Sequence, residues 1–258
     1  MRRPKSVFLF LLGLVAIPTL RGQSSLSLSP VQLEFALAAG KSEEGALTIG
    51  NDAAEAIRVR AEVVAWTTGI PGVDIFPAEG APALSSQDWF SVVGGEFTIP
   101  AGEFRDMPFI VAVPEDAVPG QYPAVISIQA VSYESGDGLF LQGKLTALAV
   151  VTIGKHEDAG TIEDLAVERR DGRSILVLRR KNGGRFFSPT EGELILRNEK
   201  GQKVLAAEFS ADPVPPLSER IFRIPVEGEI AAGRYEAECI LRPLTGKKIS
   251  LTRPIIVE

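Results

Sequence analysis

What most constrains this chain is a two-residue alternation of apolar and polar side chains that runs through most of its length. Ile57, Val59, Ala61, Val63 and Ala65 fall in one phase, while Arg58, Arg60 and Glu62 fall in the other. Phe109, Val111 and Val113 repeat the pattern before Pro114. A strand sends successive side chains to opposite faces, so such writing buries one face of a sheet and wets the other. Turn residues interrupt the pattern about every ten positions, as they do in sandwiches. No window of a dozen residues carries a helical stripe, so an all-β chain is predicted. Thr67 to Asp88 lacks a clear strand pattern, is rich in Pro, Gly and Ser, and is expected to be loop.

The first strand changes phase. Leu26 and Leu28 lie in one register, and Val31, Leu33, Phe35 and Leu37 in the other, with the switch at Ser29-Pro30. A one-residue slip exchanges faces, so a bulge or a crossing from one sheet to another is expected there. An internal repeat then sets the domain count. Pro119-Gly120-Gln121-Tyr122 returns as Ala232-Gly233-Arg234-Tyr235, the two tyrosines 113 residues apart. Gly-x-Tyr leading into a long alternating strand has the form of a tyrosine corner. Leu47 to Asn51 also corresponds to Leu178 to Asn182, each a strand ending in Asn before a turn. The repeat is about one sandwich long, so the fold class is two immunoglobulin-like β-sandwich domains in tandem, residues 23–155 and 156–258.

Residues 1–22 read as an export signal. Arg2, Arg3 and Lys5 precede an apolar run from Val7 to Leu20, too short for the roughly 20 residues of a bilayer span. An uncleaved anchor is the alternative. No cysteine follows the run, so no lipid anchor is expected. A periplasmic or secreted, extracellular location follows, with no membrane insertion after cleavage. Loss of Arg2, Arg3, Lys5 and Arg21 takes the net charge from −6 to −10. Residues 23–155 hold six basic and sixteen acidic side chains; the remainder holds seventeen of each. Such a balance disfavours nucleic acid and anionic membranes as partners.

Little here suggests catalysis. The single histidine, His156, falls in the expected linker and reads as a solvated residue. With no second His and no cysteine pair, zinc spacings cannot be written. No Gly-x-Ser-x-Gly elbow, phosphate loop or calcium loop occurs. Scattered acids leave a carboxylate-pair hydrolase as a remote alternative. Cys239 shares the inward phase of Ala237 and Leu241 and reads as a core residue. Trp66 and Trp89 read as lids over the open end of the first sandwich, or as an exposed aromatic patch. No catalytic residue, cofactor or metal is expected.

Two segments carry more information. Along Lys144 to Ile153, one face is Leu145, Ala147, Ala149, Val151 and Ile153, yet Leu148 and Val150 interrupt the face that should be wet. A last strand apolar on both sides needs covering, by the second domain or by another protein, and strand addition is the natural mode for the latter. Further on, Arg169, Arg170, Arg173, Arg179, Arg180, Lys181 and Arg185 place seven cations in 17 residues around a turn at Asp171-Gly172. They read as a basic patch: a solvated, edge-protecting face, or one meeting the acidic first domain or a polyanionic envelope component.

Leu26-Ser27-Leu28-Ser29-Pro30, Leu47 to Asn51 and Ile57 to Trp66 resemble the N-terminal domain of periplasmic pilus-assembly chaperones, and Ile99-Pro100-Ala101-Gly102 and Pro119 to Tyr122 resemble bacterial secreted proteins described as chaperone-like, so that the resemblance covers most of the mature chain. The resemblance implies that the last strand of the first domain, Lys144 to Ile153, completes the sheet of a bound subunit. That family anchors the subunit with an arginine in its first strand and a lysine near the interdomain cleft. Here Gln32 stands at the arginine position, and Lys155 is a displaced counterpart of the lysine. The expectation is an exported, non-enzymatic, chaperone-like protein that binds an envelope or surface protein. The alternative is a structural or adhesive surface module that binds through its loops.

Overall fold

The alternation becomes extended backbone. The structure, a computed structural model, describes residues 26–66, 75–77, 84–92, 95–131, 143–227 and 230–257; the expected export signal lies outside them. The first sandwich contains β1 (Leu26–Ser29), β2 (Gln32–Ala36), β3 (Ser42–Asn51), β4 (Ile57–Ala65), β6 (Phe90–Val92), β7 (Glu96–Ile99), β8 (Phe104–Ala112), β9 (Gly120–Ala130) and β10 (Lys144–Ile153). One sheet runs β1-β3-β8-β6 and the facing sheet β2-β10-β9-β4-β7. The chain crosses between them at the cis Ser29–Pro30 peptide, which accounts for the phase switch. Inward residues of both sheets meet in one core that includes Leu47, Ile49, Ile57, Phe109, Ile126 and Ile128. At its centre Phe35, Phe90 and Phe109 pack with ring centroids 5.8–6.0 Å apart. Each such buried ring or branched side chain contributes about 1.5–3 kcal/mol of transfer free energy.

The second sandwich contains β11 (Gly160–Arg170), β12 (Arg173–Asn182), β13 (Ser188–Asn198), β14 (Lys203–Val214), β15 (Ser218–Val226), β16 (Gly233–Leu241) and β17 (Ile249–Val257). Its sheets run β11-β12-β15-β5, where β5 is Ile75–Pro77, and β14-β13-β16-β17, around a second core that includes Leu176, Leu178, Leu194, Leu196 and Cys239. The β11–β12 turn uses left-handed backbone at Asp171 and Gly172, φ 51° and 75°, as a two-residue hairpin demands. The fourth strand of the first of these sheets, β5 (Ile75–Pro77), comes from between β4 and β6 of the other sandwich. The expected loop at Thr67 to Asp88 therefore contains a strand, and its end runs into a single 3-10 turn at Gln87–Trp89. Three residues are too few for an alternation to register.

The repeat is structural. Tyr122 donates its hydroxyl to the Val118 carbonyl (2.8 Å) and Tyr235 to the Ala231 carbonyl (2.9 Å). Both are tyrosine corners closing four residues back. Buried Asn51 donates from Nδ2 to the carbonyls of Glu55, Ile99 and Pro100, at 2.8–3.0 Å, and its Oδ1 accepts from the Ala53 amide. Buried Asn182 does the same toward Phe186, Val214 and Pro215, at 2.7–3.1 Å, with Oδ1 accepting from the Gly184 amide.

Candidate protein-binding site

The last strand of the first sandwich is built by the phase switch of the first. β10 pairs along its whole length with β9, antiparallel, from Lys144 opposite Gln129 to Ile153 opposite Gly120. On its other side β2 pairs with it in parallel, but only from Leu148 opposite Gln32 to Thr152 opposite Ala36. The Leu148 amide donates to the Val31 carbonyl at 3.0 Å, and the Thr152 carbonyl accepts from the Leu37 amide at 3.1 Å. Before Val31 the chain has left for the other sheet, as β1. The expectation of a free edge along all of Lys144 to Ile153 is corrected accordingly. Leu148–Thr152 is an inner strand, and Lys144–Ala147 lacks a described partner on that side. Alternate residues of a strand point their amide and carbonyl the same way. Because Leu148 donates toward β2, Thr146 and Lys144 present theirs to the open side.

The side chains divide as the phases predict. Ala147, Ala149, Val151 and Ile153 are buried in the first core, and Leu145 packs partly buried against it. Leu148 and Val150 are half-buried on the outer face. Across the strands Leu148 stands opposite Val125, itself opposite Val64, and Val150 stands opposite Pro123. On the β2 side the same two residues face Gln32 and Glu34, which are exposed and joined by a 2.8 Å hydrogen bond. The face is thus an apolar strip with a polar rim. Gln32 belongs to that rim. Lys155 is exposed in the linker.

The strip ends at the second sandwich. Trp66, next along β4, packs edge-on to Phe187 with centroids 6.2 Å apart. Gln121 accepts from the Phe187 amide through Oε1 (2.8 Å), and its own amide donates to the Arg185 carbonyl (2.7 Å). Beside these contacts lies a cleft of ≈310 Å³ whose lining includes Gln121, His156, Phe187, Pro213 and Leu244. Leu244 is 71% exposed. Trp66 is therefore a junction residue, whereas Trp89 does lie over its own sandwich, 4.5 Å from the Tyr122 ring. His156 is not a free linker residue: it is half-buried, with its ring 5.3 Å from Phe186.

The expected basic patch is dispersed. Arg169, Arg170 and Arg173 remain together and exposed at the β11–β12 tip. Arg179 and Lys181 share Glu219 on β15, at 2.8 and 3.7 Å. The Arg179 hydrogen bond holds the Glu219 carboxyl below its ordinary 4.5. Arg180 is fully buried. It donates to the Pro189 carbonyl, to Thr190 Oγ1 (2.8 Å) and to Ser188 Oγ (2.8 Å), and Ser188 donates in turn to Asp158 of the linker (2.7 Å). Burial lowers its pKa to about 10, against the opposing pull of Asp158. Arg185 joins the junction instead, donating to the Pro119 carbonyl (3.2 Å) and to Tyr122 Oη (2.9 Å). The signal that separates Arg180 from its neighbours is phase, since it follows Leu176 and Leu178 inward.

Cys239 is buried, and desolvation pushes its thiol up to about 12, far from a nucleophile's range. Among the described residues no group of three or more His, Cys, Asp or Glu is placed to hold a metal ion. A larger cleft, ≈920 Å³, lies in the second sandwich between β11, β16 and β17, where Arg253 pairs with Asp164. Among the described residues no helix is long and apolar enough to cross a membrane.

No protein-family model matches the chain, and no curated protein matches it. Among solved structures it is similar in fold to fimbrial chaperones. The class 5 fimbriae chaperone CfaA is 11% identical, with 89% of this chain and 98% of that one covered at a TM-score of 0.44. The Escherichia coli chaperone DraB is 14% identical, with 91% and 98% covered at 0.43. A Salmonella enterica structure, the SafA pilin in complex with the SafB chaperone, is 14% identical over 90% and 95%, at 0.43.

Proposed function

We propose that this chain is an exported, non-enzymatic, chaperone-like protein that binds an extended segment of an envelope or surface protein by strand addition to β10. It divides after Lys155 into two domains, following a signal at residues 1–22, and works in the periplasm or outside the cell. The observation that carries the reading is the half-covered strand. Lys144–Ala147 offers main-chain groups on the side that β2 fills beyond Leu148. Edge groups without a partner are a template for another strand, and the side chains beside them supply selectivity. The half-buried strip of Val64, Val125, Leu148 and Val150 is the adjoining apolar surface. Assembly of a pilus or another surface structure is the role such a segment-binding protein would serve.

Thr146→Pro tests the edge, because it deletes an amide facing the open side and leaves the ladder to β9 intact. Leu148→Glu with Val150→Glu tests the strip. Both variants should keep the wild-type circular dichroism spectrum and lose capture of a partner from cell-envelope extract by at least about tenfold. A folded Thr146→Pro protein that captures as the wild type does would sink the edge reading in favour of an adhesive module acting through loops.

A further inference from the structure

Domain two accepts a strand from domain one. In the first sandwich, the sheet that begins with β1 runs β1-β3-β8-β6. In the second, the corresponding sheet runs β11-β12-β15-β5. The order corresponds position by position: β3 and β12 both end in the carbonyl-bonding asparagines, and β8 and β15 are their antiparallel neighbours. The fourth place is filled in domain one by its own β6, Phe90–Val92, antiparallel to β8. In domain two it is filled by Ile75–Pro77 of domain one, antiparallel to β15, with Ile75 opposite Arg220, Phe76 opposite Glu219 and Pro77 opposite Ser218. In domain one β6 lies between β4 and its partner β7; the counterpart connection in domain two runs from β13, which ends at Asn198, to its partner β14 at Lys203, and is too short for a fourth strand of its own.

We infer that the β15 edge of domain two is a strand-acceptor site, occupied in cis by residues 75–77, and that this pairing fastens the two sandwiches together. An uncovered edge is a site of promiscuous pairing, and domain one covers the end of β15 that faces it. The occupant is three residues long and ends in Pro77, which has no amide to extend the ladder. Pairing of that length is marginal without the rest of the chain, so the segment is exchangeable for an external strand of the same chemistry: extended and apolar. The acceptor is separate from β10, so variants here leave Thr146, Leu148 and Val150 unaltered.

The test uses the full chain. In Ile75→Pro with Phe76→Pro, amide hydrogen exchange should quicken by at least about tenfold at those amides of Ser218–Arg220 that face β5, while exchange at Leu176 and Leu178 of the same sheet stays unchanged. A synthetic peptide covering residues 70–82, added in excess, should restore the lost protection. As the converse, Phe76→Cys with Glu219→Cys should close a disulfide within one molecule under mild oxidation. Unchanged exchange at Ser218–Arg220 in a folded double-proline protein would overturn the inference, and so would a folded double-cysteine protein that forms no intramolecular bond. Exchange that quickens without rescue by the peptide would overturn the acceptor role.

Discussion

At the scale of single residues, two asparagines and one arginine show how polar groups are made acceptable inside these cores. A buried amide left without partners costs about 1–3 kcal/mol, so Asn51 and Asn182 are stabilising only because each bonds three carbonyls and one amide. Each staples a strand end to the turn that follows it and to one distant turn, an arrangement no apolar residue could reproduce. We expect Asn51→Ala and Asn182→Ala each to lower stability by about 2–4 kcal/mol, read as the shift in urea midpoint at constant slope. A change under about 0.5 kcal/mol in either variant would show that water replaces the side chain without loss. The strand-Asn-turn repeat was visible in the sequence; the distant carbonyls were not, because Ile99, Pro100, Val214 and Pro215 lie far along the chain. Arg180 illustrates the opposite case. Its neighbours suggested a charged surface, but its phase placed it with Leu176 and Leu178, and phase prevailed because Ser188, Pro189 and Thr190 supply acceptors.

At the scale of elements, charge pairs decorate sheet faces that the cores already hold. Glu219 on β15 is bonded to Arg179 on β12 and lies near Lys181. Its carboxyl is held below 4.5 in the folded protein, so the unfolded chain binds its proton more tightly. The stability it contributes is fully present above its ordinary value and is lost as pH falls through the lower folded one. Glu219→Gln should therefore flatten the acid limb of the urea midpoint below about pH 5, by under about 1 kcal/mol, because its partner Arg179 is exposed and water screens the pair. An acid limb identical to wild type would remove Glu219 from the account. Strands themselves were legible wherever alternation was long: β4, β8, β9, β10 and β16 lie where the pattern put them. The half-covered edge of β10 was not legible, because pairing partners are set by where β1 leaves β2, and no local pattern records that. Nor was β5, whose place depends on an acceptor in the other domain.

At the scale of the whole molecule, the question is what makes two sandwiches one body. Interfaces between domains in a chain are commonly small and polar, and relative motion is the default. Here three ties converge, the second of them anchoring the linker within domain two: β5 on β15, the carboxylate of Asp158 held through Ser188 by Arg180, and the loop Gly183–Phe187 seated on Pro119–Tyr122. The third is close-fitting, for a Cβ on Gly120 would lie 3.1 Å from the Arg185 carbonyl oxygen. Arg185 concentrates the tie, since it donates to Pro119 and Tyr122 and sits 5.7 Å from the Tyr122 ring centroid. The same tyrosine closes the corner of domain one, so one side chain couples a domain-folding device to the junction. Arg185→Ala keeps both cores and removes that coupling. Its effect should be a looser pair, seen in nuclear magnetic relaxation as separate tumbling times for the two domains in place of one shared time. Core amides of both sandwiches should exchange as in the wild type, which keeps the loss local to the junction. If the variant still tumbles as one body, the remaining ties suffice. Arg185→Ala combined with Ile75→Pro and Phe76→Pro then separates them, because independent contacts at well-separated sites should lose their effects additively.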